Sequence, residues 1–309
     1  MKKILIYRTC SLGDFINTAP AIKLLKKKYP NSLFYFVCQK RRSVGYVYPN
    51  LLPFKKKIID KYIFFENNFL GIGKLFYKLK NLKLDLIYNF NEFSTLYRAK
   101  RDFIFFKSTG ARKLIGFKNK DFNYKNNNET YHLCKIVNKN IKKSEISFSG
   151  IFEKISKSNK KYITISMGGR NREKSWNKKN WKSLVQIIVK KFPNLKIKLV
   201  GTINDIDNAN IITKISKNYI ANMCGKTSIK SLFRLINLSA YHISHDDGTM
   251  HVASTFNKPG AVIFGLTSHK GKWKPMNNKL RIFYPKKNIN EIKPDDVFKR
   301  IFIDLKKIK

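Results

Sequence analysis

Acidic residues are scarce in this chain of 309 residues. It has 19 aspartates and glutamates against 64 lysines and arginines, which gives a formal net charge of +45 at pH 7. Such an excess suits an acidic partner, either nucleic acid or an anionic membrane. It also fits a compositional bias, because the lysines are spread along the whole chain. No recognisable RNA-binding motif is present, which argues against nucleic acid as the partner.

Cysteines, glycine-rich fingerprints and long apolar runs are also few or missing. The four cysteines (Cys10, Cys38, Cys134 and Cys224) are far apart and show no C-x-x-C spacing. We therefore expect buried free thiols in a reducing compartment. The G-x-G-x-x-G fingerprint of dinucleotide-binding proteins is absent. No apolar run reaches the roughly 18 residues that a membrane span requires, so we predict a cytoplasmic protein.

The chain does contain enough apolar residues for real cores, with 43% hydrophobic and 14% aromatic residues. Short apolar strands alternate with segments of helical periodicity, which predicts an α/β fold with doubly wound parallel sheets. This series runs twice, separated by the polar segment 139–161. We predict an N-terminal domain over 1–155, a C-terminal domain over 156–290 and a terminal helix over 291–309. The two domains should face a central cleft, where ligands of such sheets bind.

Two details of the predicted elements bear on the site. After a first strand and a polar turn, the helical spacing of Ile16, Ala19, Ile22 and Leu25 predicts a first helix from residue 15. In the second half, the strands over 241–244 and 261–264 are expected to be the last of their sheet.

The strongest local motif is His-Asp-Asp-Gly-Thr-Met-His, residues 245–251, between a predicted strand and a predicted helix. A strand that leads through glycine into a helix directs free N–H groups and a positive dipole at one point, which predicts a phosphorylated ligand. Two adjacent carboxylates would repel it, so we expect Asp246 to turn away while backbone amides face the phosphate. A metal bridged by Asp246 and Asp247 has no further ligand spacing to support it, so no metal site is predicted. His251 is either structural or a ligand.

Two further segments could carry chemistry. Asp14 follows the first strand and lies near a helix N-terminus, which favours its ionised form. It could be a general base for a substrate hydroxyl or simply a helix cap. The segment Gly168 to Trp176 contains two glycines and three cations, which suits a diphosphate but also ordinary solvated surface.

Taken together, these motifs resemble the bacterial heptosyltransferases of glycosyltransferase family 9, which build the inner core of lipopolysaccharide. The resemblance covers about residues 4 to 275 and is carried by blocks in the same order: Ser11-Leu12-Gly13-Asp14 with Thr18-Ala19-Pro20-Ala21-Ile22, Thr109-Gly110-Ala111-Arg112 with Ile115-Gly116-Phe117, Lys174-Ser175-Trp176, Gly225-Lys226-Thr227-Ser228-Ile229, and Asp246 to His251 with Phe264-Gly265-Leu266-Thr267. The chain departs from the family pattern at Asp247, where Ser or Thr is usual, and at Thr249, where many members have Pro.

The resemblance implies a GT-B fold and an inverting, metal-independent transfer of a heptose from an ADP-sugar, with no cofactor. Asp14 would be the catalytic base, and Lys174 would neutralise the leaving diphosphate. Gly13 and Arg112 would lie on the acceptor side. The donor would be bound by residues of the C-terminal half, with Asp205 at the ribose, Thr227 at the base, Asp246 at the sugar and the amides of 248–251 at the phosphates: Gly169, Arg170, Asp205, Thr227, Asp246, Asp247, Gly248, Thr249, Met250 and His251.

The implied partners are a nucleotide-sugar and an acidic, lipid-linked oligosaccharide acceptor at the cytosolic face of the inner membrane. Cations of the first helix and the following loop could contact that anionic membrane: Lys23, Lys26, Lys27, Lys28, Lys40, Arg41 and Arg42. The alternatives are a GT-B transferase that uses another nucleotide-sugar for a capsule, glycan or protein acceptor, an inactive module that binds sugar nucleotides, and a nucleic-acid-binding protein.

Overall fold

The computed structural model describes residues 1–9, 11–41, 43, 46–93, 95–117, 128–154, 162–168, 175–266 and 271–308. The chain forms two compact units, which we call N-terminal (Met1–Asn50 and Phe54–Ile151) and C-terminal (Leu51–Pro53 and Phe152–Lys309). The predicted boundary between residues 155 and 156 lies outside the described residues. The division into 1–155, 156–290 and 291–309 therefore stays a prediction.

A parallel sheet forms the centre of the N-terminal unit. Its described strands are β1 (Lys2–Tyr7), β2 (Ser32–Gln39), β3 (Lys61–Phe65), β4 (Leu86–Asn89) and β5 (Lys113–Ile115), in the spatial order β3-β2-β1-β4-β5. The helices are α1 (Leu12–Lys28), α2 (Phe69–Leu82), α3 (Leu96–Ser108) and α4 (Glu129–Val137).

These helices cover the two faces of the sheet. Leu75 and Leu79 of α2 and Phe106 of α3 pack in one core with Leu5 of β1 and Ile87 of β4. Helices α1 and α4 contact each other. The right-handed crossover from β1 to β2 places α1 on the face opposite to α2 and α3.

The C-terminal unit repeats this design. Its described strands are β6 (Tyr162–Ser166), β7 (Lys196–Val200), β8 (Ile220–Asn222), β9 (Tyr241–His245), β10 (Gly260–Ile263) and β11 (Leu280–Phe283), all parallel, in the order β11-β10-β9-β6-β7-β8. The helices are α5 (Lys178–Lys191), α6 (Ile206–Thr213), α7 (Ile229–Leu238), α8 (Gly248–Thr255) and α9 (Pro294–Lys306). This strand order is the Rossmann order 3-2-1-4-5-6. The predicted α/β class with two doubly wound parallel sheets is confirmed.

Each sheet has a point where the strand order reverses, between β1 and β4 in one unit and between β6 and β9 in the other. Ligands of doubly wound sheets bind beyond the carboxyl ends of the strands at such points. The segments after β1 and after β9 contain Asp14 and Asp246, so both predicted sites lie at a reversal point of their own sheet.

Three elements differ from the predicted series. Helix α1 begins at Leu12, because Ser11 rather than Asp14 precedes its first turn. Helix α3 has no counterpart in the predicted series. The prediction that β10 is the last strand is wrong, since the four-residue strand β11 pairs with it at the sheet edge. Arg281 interrupts the apolar run of β11, whereas the equally short β10 is an uninterrupted apolar run that the sequence reveals.

Cys38, Cys134 and Cys224 are buried free thiols, as predicted, and Cys10 lies outside the described residues. Among the helices that the structure describes, none combines the length and the apolar content needed to cross a membrane.

Candidate functional site

Asp14 lies where β1 leads into α1. Ser11 is the N-cap of the helix, and Asp14 occupies its third position. The backbone N–H and the Oγ of Ser11 donate hydrogen bonds to Asp14 Oδ2, at 2.9 and 3.0 Å. This reciprocal cap holds one carboxylate oxygen in place at the helix start. The side chain of Asp14 remains 17% exposed, so the carboxylate is accessible at the carboxyl edge of the sheet.

The other oxygen of Asp14 faces a buried charged cluster. Asp14 Oδ1 lies 3.5 Å from Nη2 of Arg8, which in turn lies 2.6 Å from Oε1 of Glu129. Arg8 and Glu129 are both almost fully buried. Asn17 Nδ2 donates to Glu129 Oε2 at 3.1 Å, and Arg8 Nη1 donates to the carbonyl oxygen of Phe90. The buried guanidinium of Arg8 thus contacts both the accessible carboxylate of Asp14 and the buried carboxylate of Glu129. Glu129 neutralises the charge of the guanidinium.

Three parts of this site were not predicted from the sequence: Arg8, Asn17 and Glu129. Glu129 follows the N-cap residue Asn128 of α4, so from the sequence it is an ordinary first-turn acid. The contact depends on α4 packing against α1, which no local pattern predicts. The available signal was Arg8 itself, a cation at the end of an apolar strand.

The two residues predicted on the acceptor side lie apart. Gly13 is buried in the first turn of α1, beside Asp14. Arg112 precedes β5 and is 83% exposed, with its Nη1 3.4 Å from Asp85 Oδ1. Since the strands are parallel, the start of β5 lies at the edge opposite to Asp14, and a strand of six residues such as β1 spans about 16 Å. Arg112 and Asp14 thus lie at opposite edges of the sheet, and the acceptor-side role of Gly13 and Arg112 stays a prediction.

Asp247 faces into the C-terminal unit. It is the N-cap of α8, and its Oδ1 accepts hydrogen bonds from the N–H groups of Thr249 and Met250 at 2.7 and 3.2 Å. Thr249 Oγ1 donates to the same oxygen at 2.6 Å, and Ser166 Oγ at the end of β6 donates to Oδ2 at 2.9 Å. Burial raises the pKa of Asp247 to about 6, and these hydrogen bonds partly oppose the effect. Both oxygens of Asp247 thus bind groups of the unit itself, and its part in donor binding stays a prediction.

This inward turn changes which groups near the start of α8 can hold an anion. The amides of Thr249 and Met250 already donate to Asp247. The side chains of Thr249, Met250 and His251 are buried, and Met250 packs in an apolar cluster with Val262. We correct the predicted set accordingly: Thr249 and Met250 support the turn, and His251 lies inside the unit.

Asp246 and Gly248 are the half-buried residues of the turn beside Asp247. Asp246 lies near Tyr284, where burial raises the pKa of the phenol and the charge of Asp246 raises it further. Asp246 therefore remains at the carboxyl edge of the sheet, next to the end of β9.

His245, the last residue of β9, connects this turn to both ends of the segment Gly168 to Trp176. Its Nε2 accepts the backbone N–H of Trp176 at 2.9 Å, so its Nδ1 carries the proton and donates to the carbonyl of Gly168 at 3.1 Å. Burial lowers the pKa of His245 to about 4, which keeps the ring neutral. Gly169, Arg170 and Lys174 lie outside the described residues. The residues on either side of them, Gly168 and Trp176, are both hydrogen-bonded to His245 at the end of β9.

Asp205 follows β7 and also faces Gly168. The N–H and Oγ1 of Thr202 donate to Asp205 Oδ2 at 2.7 and 2.8 Å. A Cβ at Gly168 would lie 2.8 Å from Asp205 Oδ2, and one at Gly201 would lie 2.7 Å away, so a side chain at either position would displace the Asp205 carboxylate. An acid beyond the second strand of a Rossmann sheet is placed to bind a ribose hydroxyl.

Thr227 is half-buried in the turn between β8 and α7. The same turn is tied to the end of β7 by a hydrogen bond from the N–H of Gly225 to the carbonyl of Gly201, at 3.1 Å. Asp205, Thr227 and Asp246 therefore follow three strands of one sheet at its carboxyl edge. No cluster of three or more His, Cys, Asp or Glu side chains that could hold a metal ion occurs among the residues described.

Two consecutive Rossmann-like units, each with polar residues at the carboxyl edge of a parallel sheet, define the GT-B class of fold. Residues 112–301 match the model of glycosyltransferase family 9 (heptosyltransferase). The chain belongs to this family, and the resemblance inferred from the motifs is confirmed.

Individual proteins agree with this assignment. The chain is 27% identical to lipopolysaccharide heptosyltransferase 1 of Campylobacter coli, over 90% of this chain and 88% of that protein. Its structure is similar to that of a family 9 glycosyltransferase from Veillonella parvula, with a TM-score of 0.76, 16% identity, and coverage of 99% and 98%. It is also similar to an E. coli heptosyltransferase solved with ADP-2-deoxy-2-fluoro heptose, with a TM-score of 0.73, 15% identity, and coverage of 98% and 99%.

Proposed function

We propose that the protein transfers a heptose from an ADP-heptose donor to a phosphorylated inner-core acceptor of lipopolysaccharide, with inversion at the anomeric carbon. Membership of the heptosyltransferase family supports the transfer of a heptose. The relative from Campylobacter coli supports lipopolysaccharide as the product, and the ADP-sugar analogue bound by the E. coli enzyme supports the donor.

The observation that carries the proposal is the state of Asp14. One of its oxygens is fixed by Ser11, the other faces Arg8, and the carboxylate stays accessible at the end of β1. In the proposed reaction, the acceptor hydroxyl attacks the anomeric carbon and Asp14 takes its proton. The bond from that carbon to the phosphate oxygen breaks, and ADP leaves with the electron pair. One displacement of this kind inverts the configuration.

We assign the donor to the C-terminal unit. Lys174 and Arg170 would neutralise the leaving diphosphate, where charge grows in the transition state. Gly169 would let the backbone approach that diphosphate closely. His245 supports this role indirectly, because it anchors the residues on both sides of their segment. Asp246 would bind a heptose hydroxyl, and the amide of Gly248 would bind a phosphate oxygen.

The nucleoside would be bound by the two other edge residues. Asp205 would accept a hydrogen bond from the ribose, since it follows the second strand of a Rossmann sheet and faces the glycine that begins the diphosphate segment. Thr227 would contact the base.

We further propose that the protein is cytoplasmic. We also propose that it needs no cofactor or metal ion, because the basic residues Arg170 and Lys174 would supply the charge that compensates the diphosphate. Dialysis against EDTA should leave the rate of transfer unchanged. A rate that falls and returns only with added metal would contradict this part of the proposal.

Two measurements test the donor and the reaction. We expect ADP-heptose to raise the melting temperature of the protein, and matched UDP- and GDP-sugars to leave it unchanged. Asp14→Ala should abolish product while keeping that thermal shift, and Lys174→Ala should weaken both. A shift with a UDP- or GDP-sugar would instead favour a transferase with another donor. Binding without turnover would favour an inactive sugar-nucleotide module.

The inward position of Asp247 bears on that last alternative. A free charge of Asp247 beside the phosphates would favour an inactive module, but Ser166 and Thr249 donate hydrogen bonds to this carboxylate within the unit. We therefore favour an active transferase.

A further inference from the structure

Helices α2 and α3 carry large apolar side chains on their outer sides. In the part of the chain that the structure describes, eight of the fourteen exposed large apolar residues lie on these two helices. The most exposed define what we call the α2–α3 surface: Phe69, Leu70, Tyr77, Leu96, Tyr97 and Ile104, which are between 63% and 91% exposed. Contiguous exposed apolar patches of this kind mark interaction sites.

The two helices form one continuous layer. Both pack on the same face of the sheet through Leu75, Leu79 and Phe106, and the rings of Phe76 and Phe105 lie 6.0 Å apart between them. The exposed apolar residues therefore lie on the outer sides of two helices that cover the same face of the sheet. They are not needed for the core, which other side chains of the same helices complete.

Cations surround these apolar residues. Helix α2 has no acidic residue, and α3 has only Asp102, which pairs with Arg101 at 2.6 Å. The exposed cations lie along both helices: Lys74, Lys78, Lys80, Arg98, Lys100, Arg101 and Lys107. Aromatic and aliphatic side chains among lysines and arginines are typical of surfaces that lie in the interface of an anionic bilayer.

Three of the five lysines first predicted to contact the membrane hold neighbouring segments instead. Lys23 donates to the carbonyl of Ser149 at 2.8 Å, and Lys26 donates to that of Lys57 at 3.1 Å. Lys28 donates to the carbonyl of Val137 at 3.1 Å. These side chains hold neighbouring segments of the unit. No exposed apolar cluster accompanies them on α1, where the aliphatic residues are buried.

The position of the α2–α3 surface relates it to the chemistry. Helix α2 begins after β3 and α3 begins after β4, so the first turns of both lie at the carboxyl edge of the sheet. Phe69, Leu70, Leu96 and Tyr97 occupy those first turns. Asp14 follows β1, which is parallel to both strands, and therefore lies at the same edge.

We propose that the α2–α3 surface docks on an anionic lipid bilayer, with Phe69, Leu70, Leu96 and Tyr97 in the headgroup region. This contact brings the edge that contains Asp14 to the membrane, where a lipid-linked acceptor is anchored. The consequence for the acceptor rests on the proposed function, whereas the docking itself does not.

Sedimentation with vesicles tests the docking without donor or acceptor. The full chain is mixed with vesicles of phosphatidylethanolamine and phosphatidylglycerol, or of phosphatidylcholine alone. We expect binding to the anionic vesicles only. Phe69→Ser/Leu70→Ser should reduce it about tenfold or more, because two inserted apolar side chains are lost. Ile303→Ser, at an apolar residue of α9 that is 62% exposed, is the control and should bind like the wild type.

Charge variants separate the apolar contribution from the electrostatic one. Lys74→Glu/Lys78→Glu should weaken binding to anionic vesicles, and the loss should diminish in high salt. Lys299→Glu/Lys306→Glu on α9 makes the same change in net charge and should have little effect. Equal losses from both pairs would mean that overall charge alone attracts the protein, and this would overturn the proposal.

Two further outcomes would also overturn it. Phe69→Ser/Leu70→Ser could bind vesicles like the wild type, or the wild type could be a dimer by sedimentation velocity that this variant dissociates. The second result would identify another copy of the chain as the occupant. Transfer to a soluble, deacylated acceptor should be unaffected by the variant. Vesicle binding and transfer are thus measured separately, and failure of either leaves the other intact.

Discussion

Asp14 and Asp205 have nearly the same local structure in two different units. Each follows a parallel strand, and each lies three residues after a hydroxyl residue, Ser11 or Thr202. In both, the N–H and the hydroxyl of that residue donate to one carboxylate oxygen, at 2.7 to 3.0 Å. The sequence patterns Ser-x-x-Asp and Thr-x-x-Asp produce this arrangement locally.

The two acids differ in what surrounds the rest of the carboxylate. Asp14 faces Arg8, which is neutralised by the buried Glu129. Asp205 lies close to the backbone at Gly168 and Gly201, where the absence of side chains makes room for its carboxylate. The first environment suits a base that must be held and kept accessible. The second suits a carboxylate that accepts hydrogen bonds from a ligand close to the backbone.

A helix cap and a catalytic base are therefore not exclusive interpretations of Asp14. The cap fixes one oxygen, and partners from distant elements determine what the other can do. The same local motif can thus serve two functions in one chain.

Asparagine at each position should separate the two functions most strongly. Asp14→Asn keeps the shape and part of the cap but removes the base, so we expect kcat to fall about 10²- to 10⁴-fold with donor affinity nearly unchanged. Asp205→Asn should mainly raise the KM for the donor. Steady-state kinetics with calorimetric donor binding measure both. If Asp14→Asn retained its kcat, Asp14 would be a cap only.

Glu129 is the partner that distinguishes the Asp14 environment, and its removal should have the next largest effect. Glu129→Ala leaves Arg8 buried without its main counter-ion, so we expect the free energy of unfolding to fall by about 3–5 kcal/mol in urea titrations. Glu66→Ala is the control, because its pair with Lys40 is half exposed, and such a pair contributes about 0–1 kcal/mol.

Glu129→Gln offers a gentler form of the same test with a kinetic readout. Arg8 then acts on Asp14 without its main counter-ion, whereas the amide oxygen can still accept its hydrogen bond. We expect kcat to fall, because the uncompensated charge of Arg8 holds the carboxylate that has to accept the proton. An unchanged kcat would make Glu129 purely structural.

Asp247 is a third carboxylate at a helix start, and there burial dominates. Its pKa is about 6 in the folded protein, against about 3.9 in unfolded chains. The folded state therefore binds the proton more tightly, and this contribution to stability is present below about pH 4 and lost as pH rises through about 6. Asparagine also caps helices well but does not ionise, so Asp247→Asn should not lose stability as the pH rises through about 6. Relative to the wild type, the variant should gain up to about 2 kcal/mol between pH 4 and 7.

Urea titrations at several pH values measure that difference directly. Only the difference between the two proteins is interpreted, since other groups titrate equally in both. A variant that is equally destabilised at every pH would show that the negative charge itself is needed.

The strands, most helices and the acids at their ends could be predicted from the sequence, because each depends on a short pattern. The positions of Asp14 and Asp246 after their strands were predicted in this way, and the roles of all the site acids stay predictions. What could not be predicted depends on packing between distant elements. Glu129 reaches Arg8 only because α4 contacts α1, and the hydrogen bond from Ser166 to Asp247 exists only because β6 lies beside β9. The edge at which Arg112 lies likewise follows from the strand order.

The smallest expected effect comes from the caps themselves. Ser11→Ala and Thr202→Ala remove the same hydroxyl donor, so each should lower the free energy of unfolding by about 1 kcal/mol. Their effects on transfer should differ. Asp14 loses a donor that orients the base, so Ser11→Ala should lower kcat several-fold, and Thr202→Ala should leave kcat unchanged while raising the KM for the donor. If both variants changed kcat alike, the two carboxylates would not have separate functions. The common effect would then come from the lower stability that loss of either cap causes.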